Sequence, residues 1–410
     1  MNLFGGVIPI TGITFLVFCV FAIAAIGYAV GRITIKGISL GTAGVFLVAL
    51  VYGCLFYDDL SVQLPDYTTN ALKVIENMGL ILFVSSVGFI AGPKFFSNMK
   101  KNFKSYVFLG LVIIVAGGLA AVGCIYAGKM MGETDMEKLS AIMSGIFAGA
   151  LTSTPAFSAA KASVATPELE QLVSVGYGIA YIFGVIGVVL FVQLLPKILK
   201  VNMDEERAKL VVDKDGAMAK KETGKLIELD DFGIAPFAIA AVIGVVIGMV
   251  KIPLSGAGLN GTTFSLTTTG GCLLASLVFG HFGKIGKINL MPSTTTLKVF
   301  RELGLMLFLI GAGIAGGARF VQEFKVSYFV YGIIITILPM IVGFIFAKFV
   351  LKLPVLNTLG SITGGMTSTP ALGTLIHVAG TEDVAAAYAA TYPIALVVVV
   401  FVSQFIIILF

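Results

Sequence analysis

The sequence predicts an all-α polytopic membrane protein, and three observations carry that prediction. Hydrophobic residues make up 58% of the 410 and charged residues only 12%, too little polar surface to coat a soluble globule. The apolar runs are continuous, as from Ile234 to Val250 and from Tyr328 to Phe349, whereas a membrane β-barrel alternates apolar and polar residues in segments of about ten. Most of the 27 Lys and Arg, set against 22 Asp and Glu, lie in short loops between these runs. Charge so placed orients spans in a bilayer and gives no sign of nucleic-acid binding.

In chain order, apolar segments run from about Ile10 to Val30, Ile38 to Tyr57, Ile75 to Ala91, Tyr106 to Met130, Leu139 to Ala165 and Leu172 to Leu195. The first lacks a basic leader and a small-residue cleavage site, so it reads as a retained span. A charged, aromatic-poor stretch from Lys197 to Asp231 follows and reads as a solvated linker. Six similar segments then return: Phe232 to Val250, Phe264 to Phe279, Leu303 to Ile314, Tyr328 to Val350, Leu359 to Ala379 and Val384 to Phe410.

The second set repeats the first. Gly149-Ala-Leu-Thr-Ser-Thr-Pro-Ala156 returns as Gly364-Gly-Met-Thr-Ser-Thr-Pro-Ala371. Gly27 and Gly31 answer to Gly244 and Gly248, and Ser39-Leu40 with Gly44 answers to Ser265-Leu266 with Gly270. Gly79, Phe83, Gly88, Gly92 and Phe95 answer at one constant offset to Gly304, Phe308, Gly313, Gly317 and Phe320. Tyr177, Tyr181 and Gln193 answer to Tyr388, Tyr392 and Gln404. The organisation expected is therefore a membrane repeat over residues 1–196, a linker over 197–231 and a second repeat over 232–410.

Loop charge sets the expected orientation. With the N-terminus outside, Arg32 and Lys36 fall inside, Asp58 and Asp59 outside, and the cluster of Lys94, Lys100, Lys101 and Lys104 inside. The fifth segment cannot cross before Pro155 interrupts it, because Ser140 to Ser153 makes only about 21 Å of helix against a hydrocarbon core of about 30 Å. If it turns at Thr-Ser-Thr-Pro and leaves on the side it entered, Glu168 and Glu170 stay outside and the linker falls inside. The second repeat then runs in the opposite sense, with Lys284, Lys287, Lys298, Arg301, Lys348 and Lys352 inside. The expectation is two inverted repeats of about five crossings plus one re-entrant hairpin each, ten crossings and two hairpins, with twelve crossings as the alternative. Arg319 and Lys325 fall outside and sit poorly with this scheme.

The doubled phrase carries the chemistry. Proline suits the first turn of a helix and the Thr before it is a good N-cap, so Thr154 and Thr369 are expected to cap the second limbs of their hairpins. A helix start exposes unsatisfied N–H groups and about half a positive charge, which favours an anion. Two such starts brought together from opposite faces suit a small molecule with two carboxylates, or one carboxylate and a hydrogen-bonding group. The candidate substrate-binding residues are Gly149, Thr152, Ser153, Thr154 and Pro155 with Gly364, Gly365, Thr367, Ser368, Thr369 and Pro370. The glycines let backbone approach either a ligand or a neighbouring helix. The competing reading is a Pro kink with its hydroxyls bonded to freed carbonyls; two copies in equivalent places favour binding.

Other candidates are secondary. Lys161 suits a substrate carboxylate or snorkelling to the interface equally well. His377 on the comparable limb reads as a structural hydrogen-bond partner before a proton carrier. Tyr177 with Tyr181, and Tyr388 with Tyr392, lie one helical turn apart; they suit a substrate path, with interface or packing roles as the simpler reading. Cys19, Cys54, Cys124 and Cys272 stand singly in apolar runs, so neither a disulfide framework nor a metal site is expected. No HExxH, GxSxG or phosphate loop occurs, so neither an enzyme nor a cofactor is expected, and transport would run on ion or solute gradients. A channel for small anions or solutes is the alternative within this architecture.

With its doubled Gly-x-x-Thr-Ser-Thr-Pro phrase and two halves split by a hydrophilic middle, the sequence resembles the aspartate–alanine exchanger family of bacterial membrane transporters. The resemblance covers nearly the whole membrane part. It implies exchange of small carboxylates or amino acids, such as aspartate for alanine or succinate, in the bacterial cytoplasmic membrane. It also implies an elevator-like movement of a transport domain against a scaffold, and a homodimer through the scaffold helices. On it, Thr152 to Pro155 and Thr367 to Pro370 match the substrate region. Many members carry large soluble domains in the middle; here only Lys197 to Asp231 stands there.

Overall fold

The computed structural model describes residues 2–3, 8–35, 38–39, 42–65, 67–210, 226–253 and 263–410. Lys36 and residues 211–225 of the charged stretch lie outside the described residues. The first half folds as α1 (Gly12–Gly31), α2 (Ala43–Gln63), α3 (Thr68–Asn102), α4 (Phe108–Met130), α5 (Met136–Ala150), α6 (Thr154–Ser163) and α7 (Pro167–Ile198). A short α8 (Met203–Ala208) begins the charged stretch. The second half repeats the order as α9 (Ile234–Gly248), α10 (Thr267–Phe282), α11 (Thr294–Glu323), α12 (Val326–Ile345), α13 (Val355–Gly365), α14 (Thr369–Ala379) and α15 (Ala385–Ile408). The few strands described are two-residue ladders in loops.

Among the described residues, eight helices are long and apolar enough to cross a membrane: α1 to α4, α7, α11, α12 and α15. Helices α9 and α10, with 15 and 16 residues, stand where the remaining two of the ten expected crossings would be. At about 1.5 Å per residue they fall short of a full core thickness. Helices α5, α6, α13 and α14 have 15, 10, 11 and 11 residues, so each pair forms a hairpin of two short limbs and twelve full crossings are not available.

Glycines set how closely the long helices cross. A Cβ on Gly79 of α3 would lie 2.4 Å from the Phe308 nitrogen, and one on Gly304 of α11 would lie 2.4 Å from the Phe83 nitrogen. The two helices thus meet backbone to backbone at the residues that repeat in the sequence. Around them, α2 packs on α1 where Gly44 meets Gly27 and Gly31, and α10 packs on α9 where Gly271 meets Gly244 and Gly248. The partner of Gly44 is therefore Gly271. The expected match to Gly270 is one residue off, because Gly271 is the glycine that faces the α9 backbone.

Side-chain pairs fix which helix ends lie together. Lys73 bonds Glu170 at 2.9 Å, Arg319 bonds Glu168 and Gln171 at 2.7 Å each, and Lys325 bonds Glu133. These starts of α3 and α7 and ends of α4 and α11 form one end of the molecule. Arg319 and Lys325, anomalous by loop charge alone, are here neutralised by acids of the same end. The hydrogen bond from Glu133 also raises the Lys325 ammonium above its ordinary range. The opposite end holds the start of α11, the end of α7 and α8.

The described flanks of the charged stretch are largely exposed and are anchored to the second half by a few contacts. Glu206 of α8 is buried and accepts the Val355 N–H at the start of α13 at 2.7 Å, while Arg207 donates to the Ala379 carbonyl at the end of α14 at 2.8 Å. Two adjacent residues thus close the base of the second hairpin, satisfying one orphan donor and one orphan acceptor of its limbs. At the other flank Ile227 pairs with the strand at Ile288.

Asp230 collects the Ile234 and Ala235 N–H groups at 2.9 and 2.7 Å at the start of α9. These backbone donors hold its carboxyl below the ordinary carboxylate range. A carboxylate with a lowered folded pKa contributes stability that is full above its unfolded value, about 3.9, and is lost as pH falls through the lower folded value. Asp230→Ala should therefore melt below the wild type at pH 7, and the gap should close as the pH is taken below about 4; an undiminished gap in acid would assign the loss to another cause.

Candidate functional site

The two Thr-Ser-Thr-Pro stretches turn where expected and meet each other. In the first, Thr152 takes a left-handed φ of 53° and in the second Thr367 takes 50°, a conformation that β-branched residues seldom adopt. Behind each, the next residue bonds back to the first limb: Ser153 N–H to the Ala148 carbonyl at 2.8 Å, and Ser368 N–H to the Thr363 carbonyl at 3.0 Å. This is the 6→1 closure of a Schellman turn, with a Thr in the place glycine usually holds.

Threonine is held there by a bond that glycine cannot make. The Thr152 hydroxyl donates to the Met366 carbonyl at 3.0 Å, and the Thr367 hydroxyl donates to the Leu151 carbonyl at 2.8 Å. Each tip thereby satisfies a carbonyl at the end of the other hairpin's first limb. The base of the first hairpin lies at the end marked by Glu133 and Glu168, and the base of the second lies at the end marked by α8. The hairpins therefore approach from opposite ends, tip to tip.

The caps fall one residue earlier than the residue types suggest. Ser153 and Ser368 have extended backbone, while Thr154 and Thr369 are the first helical residues. The left-handed turn at Thr152 and Thr367 leaves the following serine as the extended residue that a cap requires. Ser153 accepts the Ala156 N–H at 3.3 Å; Ser368 makes no such bond, and its buried hydroxyl is without a partner. Thr154 and Thr369 are thereby freed from capping, and both line a cavity of about 530 Å³.

That cavity gathers Thr152, Thr154 and Pro155 with Thr367, Thr369 and Pro370. Tyr181, Tyr388 and Tyr392 line it too, as do Phe83, Arg301, Glu302 and Leu305. It reaches solvent past Arg301 and Glu302, whose side chains are 41% and 48% exposed, at the end that carries α8. Toward the other end Phe46, Phe157, Tyr177 and Phe308 close it, all fully buried, with Phe157 stacked on Tyr177 at 4.0 Å and edge-on to Phe308 at 5.4 Å. Beyond this aromatic layer, Lys161 of α6 pairs with Glu76 of α3 at 2.7 Å, both buried.

Several sequence candidates lie elsewhere. Gly149 and Gly364 press against α7 and α15, where a Cβ would come within 2.7 Å of the Tyr177 carbonyl and 2.9 Å of the Tyr388 carbonyl. Gly365 faces Ile113 of α4. Of the two uses open to these glycines, helix packing is the one the fold makes of them. Tyr177 is in the aromatic layer, its hydroxyl beside those of Thr154 and Tyr181 without a hydrogen bond of good geometry. Lys161 is committed to Glu76, and His377 is exposed on α14. Arg301 and Glu302 were not singled out in sequence. A signal for Arg301 existed, because it stands three residues before Gly304 as Glu76 stands three before Gly79.

Long apolar helices surrounding two tip-to-tip hairpins and a central, largely apolar cavity with threonine, tyrosine and charged groups in its wall define a polytopic membrane protein. A family model described as Predicted Permease Membrane Region matches residues 19–197 and 236–408. The chain belongs to this family, the one that the doubled phrase resembles. It is 28% identical to an uncharacterized transporter of Bacteroides thetaiotaomicron, over 94% of this chain and 97% of that protein. With uncharacterized transporters of Desulfotalea psychrophila and Geobacter sulfurreducens it shares 23%, over 95% and 94% of this chain and 96% of each relative. These alignments run over 543 to 551 positions, so the relatives carry segments that have no counterpart among the 410 residues here. Family and relatives point to a membrane transporter and away from an enzyme.

Proposed function

We propose that the chain is a secondary transporter that binds a small carboxylate or amino acid, such as aspartate, alanine or succinate, between the hairpin tips and exchanges it across the bacterial cytoplasmic membrane. The observation that carries this reading is the pair of opposed tips sharing one cavity, open at one end and closed at the other by an aromatic layer and a buried ion pair. A carrier needs a site that faces one side at a time; a channel needs a continuous path, which the aromatic layer interrupts. The halves 1–196 and 232–410 are read as inverted repeats, supported by hairpins based at opposite ends. The basic loops near α8 support placing residues 197–231 in the cytoplasm, so this state faces inward.

Opening to the other side follows from the same geometry. The tips are bonded to each other, so they move as a unit, and displacement against the α3–α11 crossing exposes the opposite end of the cavity in an elevator-like step. The scaffold helices are then the surface for a homodimer. In proteoliposomes, Thr154→Val with Thr369→Val should weaken uptake of labelled aspartate or succinate about tenfold, since each lost hydroxyl bond is worth about 0.5–1.5 kcal/mol. Unchanged kinetics would remove the site assignment. Uptake that fails to saturate and ignores solute loaded on the far side would instead favour the channel.

A further inference from the structure

We propose that Arg301 is the residue that takes the carboxylate of the bound solute, released from Glu302 as the solute arrives. The proposal rests on the transport reading and adds to it a charged group that the hairpin tips lack. Among the described residues lining the cavity, Arg301 is the sole cation.

The repeat shows what a charge at this place does when it has a fixed partner. Glu76 and Arg301 occupy the same position relative to the crossing glycines, three residues before Gly79 and Gly304. At Glu76 the hairpin supplies Lys161, seven residues after Thr154, and the two charges bury each other at 2.7 Å. Seven residues after Thr369 the second hairpin carries Ile376, so no hairpin charge reaches for Arg301.

It pairs with its neighbour in sequence, Glu302, at 2.8 Å. With both side chains partly exposed, such a pair holds weakly and exchanges readily. A guanidinium in a cavity walled by Phe83, Val87 and Leu305 gains more from a carboxylate held in two parallel hydrogen bonds and shielded from water. The Tyr388 and Tyr392 side chains and Thr369 of the second tip line the same cavity, so they are the hydrogen-bonding groups available to the rest of a solute held at Arg301.

The test is binding of labelled succinate and L-aspartate to purified full-length protein. Arg301→Gln should raise Kd by about tenfold or more with an unchanged melting temperature, and Arg301→Lys should fall between it and the wild type, keeping the charge but losing the fork. Glu302→Gln should lower Kd, because it removes the competing carboxylate. A merely structural ion pair would make Glu302→Gln and Arg301→Gln weaken binding alike, and that result overturns the proposal, as does wild-type affinity in Arg301→Gln. If Arg301→Gln binds normally while the Thr154→Val, Thr369→Val protein does not, Arg301 falls and the tip reading stands. A wild-type protein that binds neither solute overturns both.

Discussion

Lys161→Met should lower stability by about 3–5 kcal/mol, the usual consequence of leaving one member of a buried pair without its counter-charge. Lys161 and Glu76 are 5% and 9% exposed, so water compensates the lost contact only in part. Thermal unfolding in detergent would show the loss. Removing both charges in Lys161→Met with Glu76→Leu should recover most of it, because apolar residues of similar size often replace a buried pair at little cost. A single variant that melts with the wild type but no longer binds solute would return Lys161 to the role of a substrate ligand.

At the α3–α11 crossing the expected effect is of similar size and has a different origin. Gly304→Ala puts a methyl group 2.4 Å from the Phe83 nitrogen and 2.6 Å from the Gly79 carbonyl oxygen, both backbone atoms. No side chain there can turn aside, so the helices must separate, at about 1–3 kcal/mol or more. Gly123→Ala is the control, since it lies on the exposed face of α4 with nothing within 4 Å of a new Cβ. That change should be neutral or stabilising by up to about 1 kcal/mol. Equal melting of the two variants would mean that the crossing tolerates separation.

Much of this arrangement is legible in the sequence. Fourteen residues ahead of Pro155 are too few to cross a bilayer, and a polar phrase said twice in apolar surroundings marks where two limbs turn. What was hidden depends on distance along the chain. The acids that pair with Arg319 and Lys325 lie 151 and 192 residues away, so loop charge alone does not reveal how those two cations are balanced. Glu76 fell at the margin of its apolar segment, whereas α3 begins at Thr68 and carries it well inside a helix. Whether a glycine admits a ligand or a neighbouring helix depends on what stands opposite, and the same residue type serves both. Arg301 reads as loop charge because it precedes the apolar segment that begins at Leu303, whereas α11 begins at Thr294 and carries it inside a helix.

The bonds from Thr152 to the Met366 carbonyl and from Thr367 to the Leu151 carbonyl have the form of an isologous contact, in which each side offers the other the same group. Two identical half-length chains could make that contact about a two-fold axis, but symmetry would then force every position to be used twice. Such a dimer could hold Glu76 in both copies or Arg301 in both, never one of each. Joining the halves through one covalent segment keeps them in equal number and at high effective concentration. Once joined, the two sides of the crossing are free to differ, so one carries a charge sealed behind aromatic rings and the other a charge open to the cavity.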